Sequence, residues 1–395
     1  MNKIFKILLI AVIGLSISKC TTSDDTAEVV LNDFTVQRDA DNTIIETYLK
    51  THHMEVILPN FDVKFSTVAS MSSTCMWVEN QLVGATFPLM TKTCKANDIS
   101  YTIYYIKLQE GGTTTINSRK PCNLDGVWAA YKGRLMDEFV AKGTLVGGVA
   151  TTADTGGISA NDEGTVFDSN DNPNSFFELD QVVRGWAEIF PLFKTGSYLA
   201  NADGTTTYSD FGAGVMFLPS GLAYFNGSVG SIPSYSPLIF NFKLFEIKRN
   251  DHDGDGIKDF EEDLDGDGYI YTTAANGATF INGRNIDDTD SDGYVDVYDG
   301  DDDDDYYLTR TEIKRPALFP AQYDENGVPV NTGYYPYKGT IDDPTTPYIN
   351  EALGVPRKFT VPINPLTQLP INSLQTSDFT DEPRLRNYLD VTVHP

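Results

Sequence analysis

Asp251, Asp253, Asp255, Asp259 and Glu262 stand at positions 1, 3, 5, 9 and 12 of the run Asp251–Glu262 (DHDGDGIKDFEE). Oxygen donors at this spacing suit calcium, which takes about 6–8 oxygen ligands, and the Ile257 carbonyl supplies position 7. Gly256 at position 6 allows the positive φ of the sharp turn. A second set, Asp263, Asp265 and Asp267 with Gly268, follows at once but has no acid at its twelfth position. A third comprises Asp288, Asp290, Asp292, Gly293, Asp296 and Asp299. A fourth comprises Asp301, Asp303, Asp305 and Glu312, with Tyr306 where glycine is preferred. The expected cofactor is therefore structural calcium. Without a cation so many carboxylates repel and leave the segment loose, and calcium would turn it into a compact spacer.

The remaining composition narrows the chemistry further. The chain has 395 residues with 29 basic against 56 acidic side chains, a net charge of −27. Such a surface repels phosphate backbones, which argues against nucleic acid as a partner. Four histidines and no His-Glu-x-x-His speak against a histidine-based zinc enzyme. No glycine-rich stretch leads into Lys-Ser/Thr, and no Cys-x-x-Cys occurs, which disfavours nucleotide and dithiol chemistry. With 41% hydrophobic residues the chain can fill one or two cores.

Several segments read as elements. At the amino terminus Lys3 and Lys6 precede the apolar run Ile7–Ile17, too short to span a bilayer but suited to a signal-peptide core. The run ends in Ile17-Ser18-Lys19-Cys20 and then Thr21-Thr22-Ser23-Asp24-Asp25. This resembles a bacterial lipoprotein signal with Cys20 acylated, and the acidic pair resembles the surface-export signal of Bacteroidetes lipoproteins. Lys19 stands where that pattern has a small residue. The resemblance implies a signal over 1–19 and an outer-membrane anchor at Cys20, holding the protein on the periplasmic face or the cell surface. Residues 20–38 read as a tether. Among Cys75, Cys94 and Cys122 an oxidising compartment permits one disulfide, and Cys75–Cys94, closest in sequence, is the expected pair.

Ile44, Ile45, Tyr48 and Leu49 lie at helical spacing within an accessory region, 39–98. Alternation around Tyr101, Ile103 and Tyr105 predicts a strand over 99–108. Further strands are expected over 127–135, at Val166-Phe167-Asp168, and over 239–247, the last half-buried. Residues 137–164 read as a long loop, and 179–193 as holding one short helix. Short strands about one short helix indicate an α+β domain. The acidic repeats span 250–312, with 21 acidic against 3 basic residues from Asp251 to Glu312. A tail over 313–395 holds 12 of the 20 prolines and reads as extended.

One series of fragments is ordered in a recognisable way. Ala130–Leu135 (AYKGRL) is followed by Gly164–Ser169 (GTVFDS), Phe177–Leu179, Val182–Trp186 (VVRGW) and Lys194-Thr195-Gly196. Leu218–Tyr224 (LPSGLAY), Ser231-Ile232-Pro233 and Pro237–Phe242 complete it. Over about 100–249 this resembles the FKBP-type peptidyl-prolyl cis-trans isomerases. The resemblance implies a curved antiparallel sheet around a short helix, with a prolyl pocket between them. It places Trp186 on the pocket floor and Tyr131, Phe167, Val182, Val183, Tyr224, Ile232 and Phe240 on its walls. Asp168 matches the acidic wall residue, and the Val183 N–H matches the donor to the substrate carbonyl. Phe225 stands where the family has glycine, and Ser175 where it has a second wall aromatic.

The acidic repeats, tandem and without flanking helices, resemble thrombospondin type 3 repeats. Two functions remain open. One is a lipid-anchored isomerase acting on proline-containing polypeptides outside the cytoplasm. The other is a non-catalytic lipoprotein subunit that binds partner proteins in a larger surface assembly.

Overall fold

A computed structural model describes residues 31–113, 118–136, 164–264, 266–272 and 284–313, with a few short pieces elsewhere. Cys20, most of the 137–164 loop, Asp265 and nearly all of the proline-rich tail lie outside the described residues. The chain divides into Met1–Asn32 and Asp33–Pro395, and every element below belongs to the second unit. No helix among the described residues is long and apolar enough to cross a membrane.

Helix α1 (Phe34–Thr51) starts at an Asp33 cap, whose Oδ1 accepts from the N–H of Thr35 at 2.8 Å and of Val36 at 3.2 Å. That cap satisfies otherwise orphaned amides, so the helix begins inside the stretch expected to be tether. A hairpin of β1 (His52–Ile57) and β2 (Asp62–Thr67) and the one-turn α2 (Met76–Glu79) complete the accessory region. Then come β3 (Leu89–Ala96) and β4 (Ile99–Gln109), joined by Asn97-Asp98 at φ 52° and 59°. Both residue types tolerate the left-handed region that a two-residue hairpin turn demands.

The following elements are β5 (Gly126–Leu135), β6 (Val166–Asn170), β7 (Phe177–Glu178) and α3 (Arg184–Ile189), which continues as a 3-10 turn to Leu192. A small hairpin of β8 (Ser197–Ala200) and β9 (Thr206–Ser209) precedes β10 (Gly212–Leu218) and β11 (Leu238–Lys248). The main antiparallel sheet has seven strands, ordered β3-β4-β10-β11-β5-β6, with β7 also pairing β5. The fold is thus α+β, and the sheet begins at Leu89 rather than at residue 99.

The period of two along each strand builds two cores. Tyr101, Ile103, Tyr105, Phe240, Phe242 and Leu244 meet α3 on one face. Ile106, Leu108, Val215, Phe217 and Ile239 meet Ile45, Tyr48 and Leu49 of α1 on the other. Strand β11 is therefore covered on both faces rather than half-buried. Even Asn241 is buried, its amide reaching the carbonyls of Gly214 and Phe61, each at 3.4 Å.

The two covered faces also explain why the expected Cys75–Cys94 disulfide is not formed. Cys94 packs in the α3-side core, whereas Cys75 opens α2, whose Met76 packs in the α1-side core. Cys75, Cys94 and Cys122 are all buried free thiols.

The acidic region is docked onto this body. Leu124, Ile270, Val295 and Val297 form a third small core with Cys122. Asn123 Nδ2 donates to the Ile270 carbonyl at 2.9 Å, while the Ile270 N–H donates to Asn123 Oδ1 at 2.8 Å. Arg249 pairs with the buried Asp125 and lies 4.0 Å from the Phe260 ring centroid.

Candidate functional site

Helix α3 positions Trp186, which is 3% exposed, against the sheet face that carries Phe240 and Phe242. Its indole is ringed by Tyr131 of β5 at 5.1 Å, Phe177 of β7 at 5.6 Å, Phe240 of β11 at 5.4 Å and Phe190 at 5.1 Å, centroid to centroid. Tyr131, Phe177 and Phe240 meet it at interplanar angles of 72–90°. Such edge-to-face contacts place positive ring edges against negative ring faces. Phe167 of β6 packs edge-on to Phe240 at 5.6 Å.

Gly133 makes this approach possible. A Cβ there would lie 2.4 Å from Phe167 Cζ and 3.0 Å from Phe240 Cε1. The strand needs glycine because two rings lean on its backbone.

The set has a floor and a rim. Trp186, Ile232 and Phe240 are buried, Tyr131, Phe167, Phe177, Val182 and Val183 half-buried, and Tyr224 is 37% exposed. Polar groups cluster on that rim. The Tyr131 hydroxyl donates to the Asp168 carboxylate, and the Ser169 N–H donates to the other oxygen of the same carboxylate at 2.8 Å. Burial and then Asp168 push the Tyr131 hydroxyl well above the usual phenol range, so it stays protonated and a donor. Burial, and then the field of Asp168, raise the Tyr224 hydroxyl as well. Val183 precedes α3 in an extended conformation, with φ −59° and ψ 134°. Trp186 Nε1 is buried without a hydrogen-bond partner.

Of the nine residues expected at the prolyl site, Tyr131 and Phe240 ring Trp186, Phe167 packs on Phe240, and Asp168 bonds Tyr131. Val182, Val183 and Ile232 belong to the same core, while Tyr224 stands exposed on the loop after β10. Sequence reading missed two members, Phe177 and Phe190. Phe177 fills wall space where Ser175 suggested a gap, and the signal was its position immediately after Phe176, one of which must face inward in a strand. A cleft of about 410 Å³ lies beside the rings, sharing Val182 and bounded by Leu179, Asp180, Arg184, Tyr269 and Tyr298.

The acidic residues regroup in a way their spacing did not foretell. Asp253, Asp255 and Glu262 converge with Asp302 of the fourth repeat, one oxygen of each lying within 4.8 Å of the others. Asp259 does not join them. Its carboxylate accepts from His252, at the backbone N–H (3.1 Å), and pairs with Nδ1 (2.6 Å). Asp251 pairs with Lys258 at 3.3 Å. Asp288, Asp290 and Asp292 form a second cluster, and Asp301, Asp303 and Asp305 a third. Glu312 is pushed up to about 9 by burial and by Asp303, Asp305 and Asp301, so it neighbours that third group. Asp263 accepts from the N–H of Gly266 and Gly268, Asp267 from Tyr269, Asp296 from Thr289 and Asp299 from Asp301. These carboxylates shape turns.

The chain is 26% identical over 215 residues to the FKBP-type peptidyl-prolyl cis-trans isomerase FkpA of Aeromonas hydrophila, covering 54% of this chain and 63% of that protein. It is 34% identical over 89 residues to the macrophage infectivity potentiator of Trypanosoma cruzi, covering 22% and 38%. The named relatives include a prolyl isomerase. The chain spans less than two thirds of the length of either protein. Among solved structures it is similar to a peptidyl-prolyl cis-trans isomerase from Pseudomonas syringae pv. tomato, 16% identical, covering 56% of this chain and 99% of that one at a TM-score of 0.28. The family model described as BamM C-terminal matches residues 252–348, across the acidic region and into the tail.

Proposed function

We propose that the protein is an FKBP-type peptidyl-prolyl cis-trans isomerase acting on proline-containing polypeptides. The observation that carries this reading is the ring set around Trp186, topped by the Tyr131–Asp168 pair and Tyr224. An X–Pro bond turns against a barrier near ~18–20 kcal/mol, on ~10–100 s unaided. The planar amide is strongly polar through resonance, and the twisted amide less so. An apolar, ring-walled seat therefore penalises the planar form relative to the twisted one. Rings on three sides also hold the pyrrolidine while the carbonyl swings. The Tyr224 hydroxyl and the Val183 N–H would be the donors that follow that carbonyl. No nucleophile, general base or metal enters the step.

Protease-coupled turnover of an Ala-Pro peptide tests this. Wild-type turnover should exceed that of the Trp186→Leu/Tyr224→Phe double variant by more than tenfold, and equal rates would reject the enzyme.

The second reading, a non-catalytic subunit binding partner proteins in a surface assembly, is favoured by the match of residues 252–348 to the BamM C-terminal family. That part of the chain is shared with a family distinct in name from the isomerases. In either reading the lipid anchor at Cys20 and outer-membrane placement rest on the signal-like amino terminus.

The cofactor reading, calcium, is supported by buried carboxylate oxygens left over in the first cluster. Asp255 Oδ2, Glu262 Oε1 and both oxygens of Asp302 are buried without a hydrogen-bond partner. Burial and mutual repulsion push Asp255 up to about 8 and Asp302 to about 11. A divalent cation would relieve that repulsion, and an all-oxygen set favours calcium over softer metals. Asp253, Asp255, Glu262 and Asp302 would hold it, joining the first repeat to the fourth.

A further inference from the structure

The loop from Pro219 to Pro237 carries Tyr224 and Ile232, and the first half of α1 lies against it. Asp41 is fully buried. One of its carboxylate oxygens accepts from the Ser220 N–H at 2.7 Å and from the Ser220 hydroxyl at 2.6 Å. The other accepts from Gln37 Nε2 at 2.7 Å, and that amide also reaches the Tyr235 carbonyl at 3.5 Å. Ser220 anchors the loop in turn, since its carbonyl accepts from Ala223 and Phe225 at 2.9 Å each.

Phe225 ties the two together. It holds φ at +47°, a region that non-glycine residues avoid, at the position where FKBP-type sequences have glycine. Its ring stacks on Phe34 of α1 at 4.2 Å and 21°, and meets Tyr235 edge-on at 5.1 Å. The Tyr235 N–H donates to the Phe225 carbonyl at 2.6 Å, closing the loop on itself. A strained residue persists only where its surroundings over-determine it, and here a helix supplies them. The second half of α1, with Ile45, Tyr48 and Leu49, is committed to the core. Phe34, Gln37 and Asp41 have no such role and face the loop.

We propose that the first half of α1 is a positioning element for the prolyl site, with Phe34, Gln37 and Asp41 clamping the loop that presents Tyr224 and Ile232 to the substrate. The proposal rests on the isomerase reading above. It predicts that α1 sets the efficiency of a reaction whose substrate it does not touch, and that Phe225 replaces glycine because the clamp replaces its freedom.

The test compares wild type, Phe34→Ala, Phe34→Tyr and Asp41→Asn by turnover of an Ala-Pro peptide, thermal midpoint, and hydrogen exchange at the Phe225 and Tyr235 amides. Phe34→Ala and Asp41→Asn should lower kcat/KM about two- to tenfold, the factor a lost ring pair or buried hydrogen bond corresponds to. They should also speed exchange at both amides, while Phe34→Tyr, which keeps the stack, behaves as wild type. Active wild type with unchanged kcat/KM and exchange in both variants overturns the clamp. A fall in kcat/KM matched only by a lower midpoint, with the two amides as protected as in wild type, also overturns it. Inactive wild type overturns the isomerase reading and with it the catalytic role of the clamp, a result distinct from either of the others.

Discussion

Trp186 is the residue on which most of the ring contacts of the candidate site converge, and its size fills the space between them. Trp186→Leu should cost roughly 2–4 kcal/mol by denaturant melts, the range for shrinking a buried aromatic. Tyr224→Phe, at an exposed rim position, should leave stability within about 0.5 kcal/mol while lowering turnover. Gly133→Ala forces Phe167 off the wall, so it should reduce peptide affinity, read as a raised KM, even where the chain still folds. Asp41 carries a pH signature. Burial lifts its carboxyl to about 7 against the hydrogen bonds from Ser220 and Gln37. The charge of Asp41 in turn helps raise the Tyr101 hydroxyl, after burial. Its folded value lies above its unfolded one, so its contribution is full below about pH 4 and is lost as pH rises through about 7. Asp41→Asn should flatten that stretch of the stability profile, measured by melts from pH 4 to 8. At this scale, the grouping of Tyr131, Asp168 and Trp186 was legible from their order along the chain. Phe177 was not, because its neighbour Phe176 is as hydrophobic and only the strand pairing decides which one faces inward.

At the scale of elements, alternation made β4 and β11 readable, since Tyr101-Ile103-Tyr105 and Phe240-Phe242-Leu244 each fill one face. What alternation could not show was the second layer. Asn241 and Lys243 look like a wet face until α1 and the β1–β2 hairpin cover it, with Lys243 pairing Asp62 at 2.7 Å. The same blindness produced the disulfide expectation, because nearness in sequence says nothing about which face of a sheet a thiol meets. With Cys75, Cys94 and Cys122 buried and free, a thiol reagent should label them slowly in the native protein and all three rapidly in denaturant without reductant. A Cys75–Cys94 bond would leave only one of these three reactive. Burial also lifts the Cys94 thiol, to about 12, which keeps it unreactive while folded.

For the whole molecule, the acidic region and the ring site share α3. Glu188, one turn beyond Arg184 on that helix, accepts from Tyr269 at 2.7 Å and Arg184 at 3.1 Å, and pairs with Lys92 at 3.5 Å. Tyr269, which follows the second acidic set, thus ties the acidic region to the helix bearing Trp186. Chelation should lower the thermal midpoint by several degrees, and Asp302→Asn should remove the chelator-sensitive part; a midpoint indifferent to chelator would count against calcium. The link from Asp253 to Asp302 was invisible to a reading by spacing, because these residues meet only through the fold. The central claim remains that the rings around Trp186 seat a proline. Exchange spectroscopy on an Ala-Pro peptide, with catalytic amounts of wild type or Trp186→Leu, tests it most directly. The account predicts cis–trans exchange far faster than the ~10–100 s of the free peptide with wild type, and largely lost in the variant. Exchange at the free-peptide rate with folded wild type would contradict it.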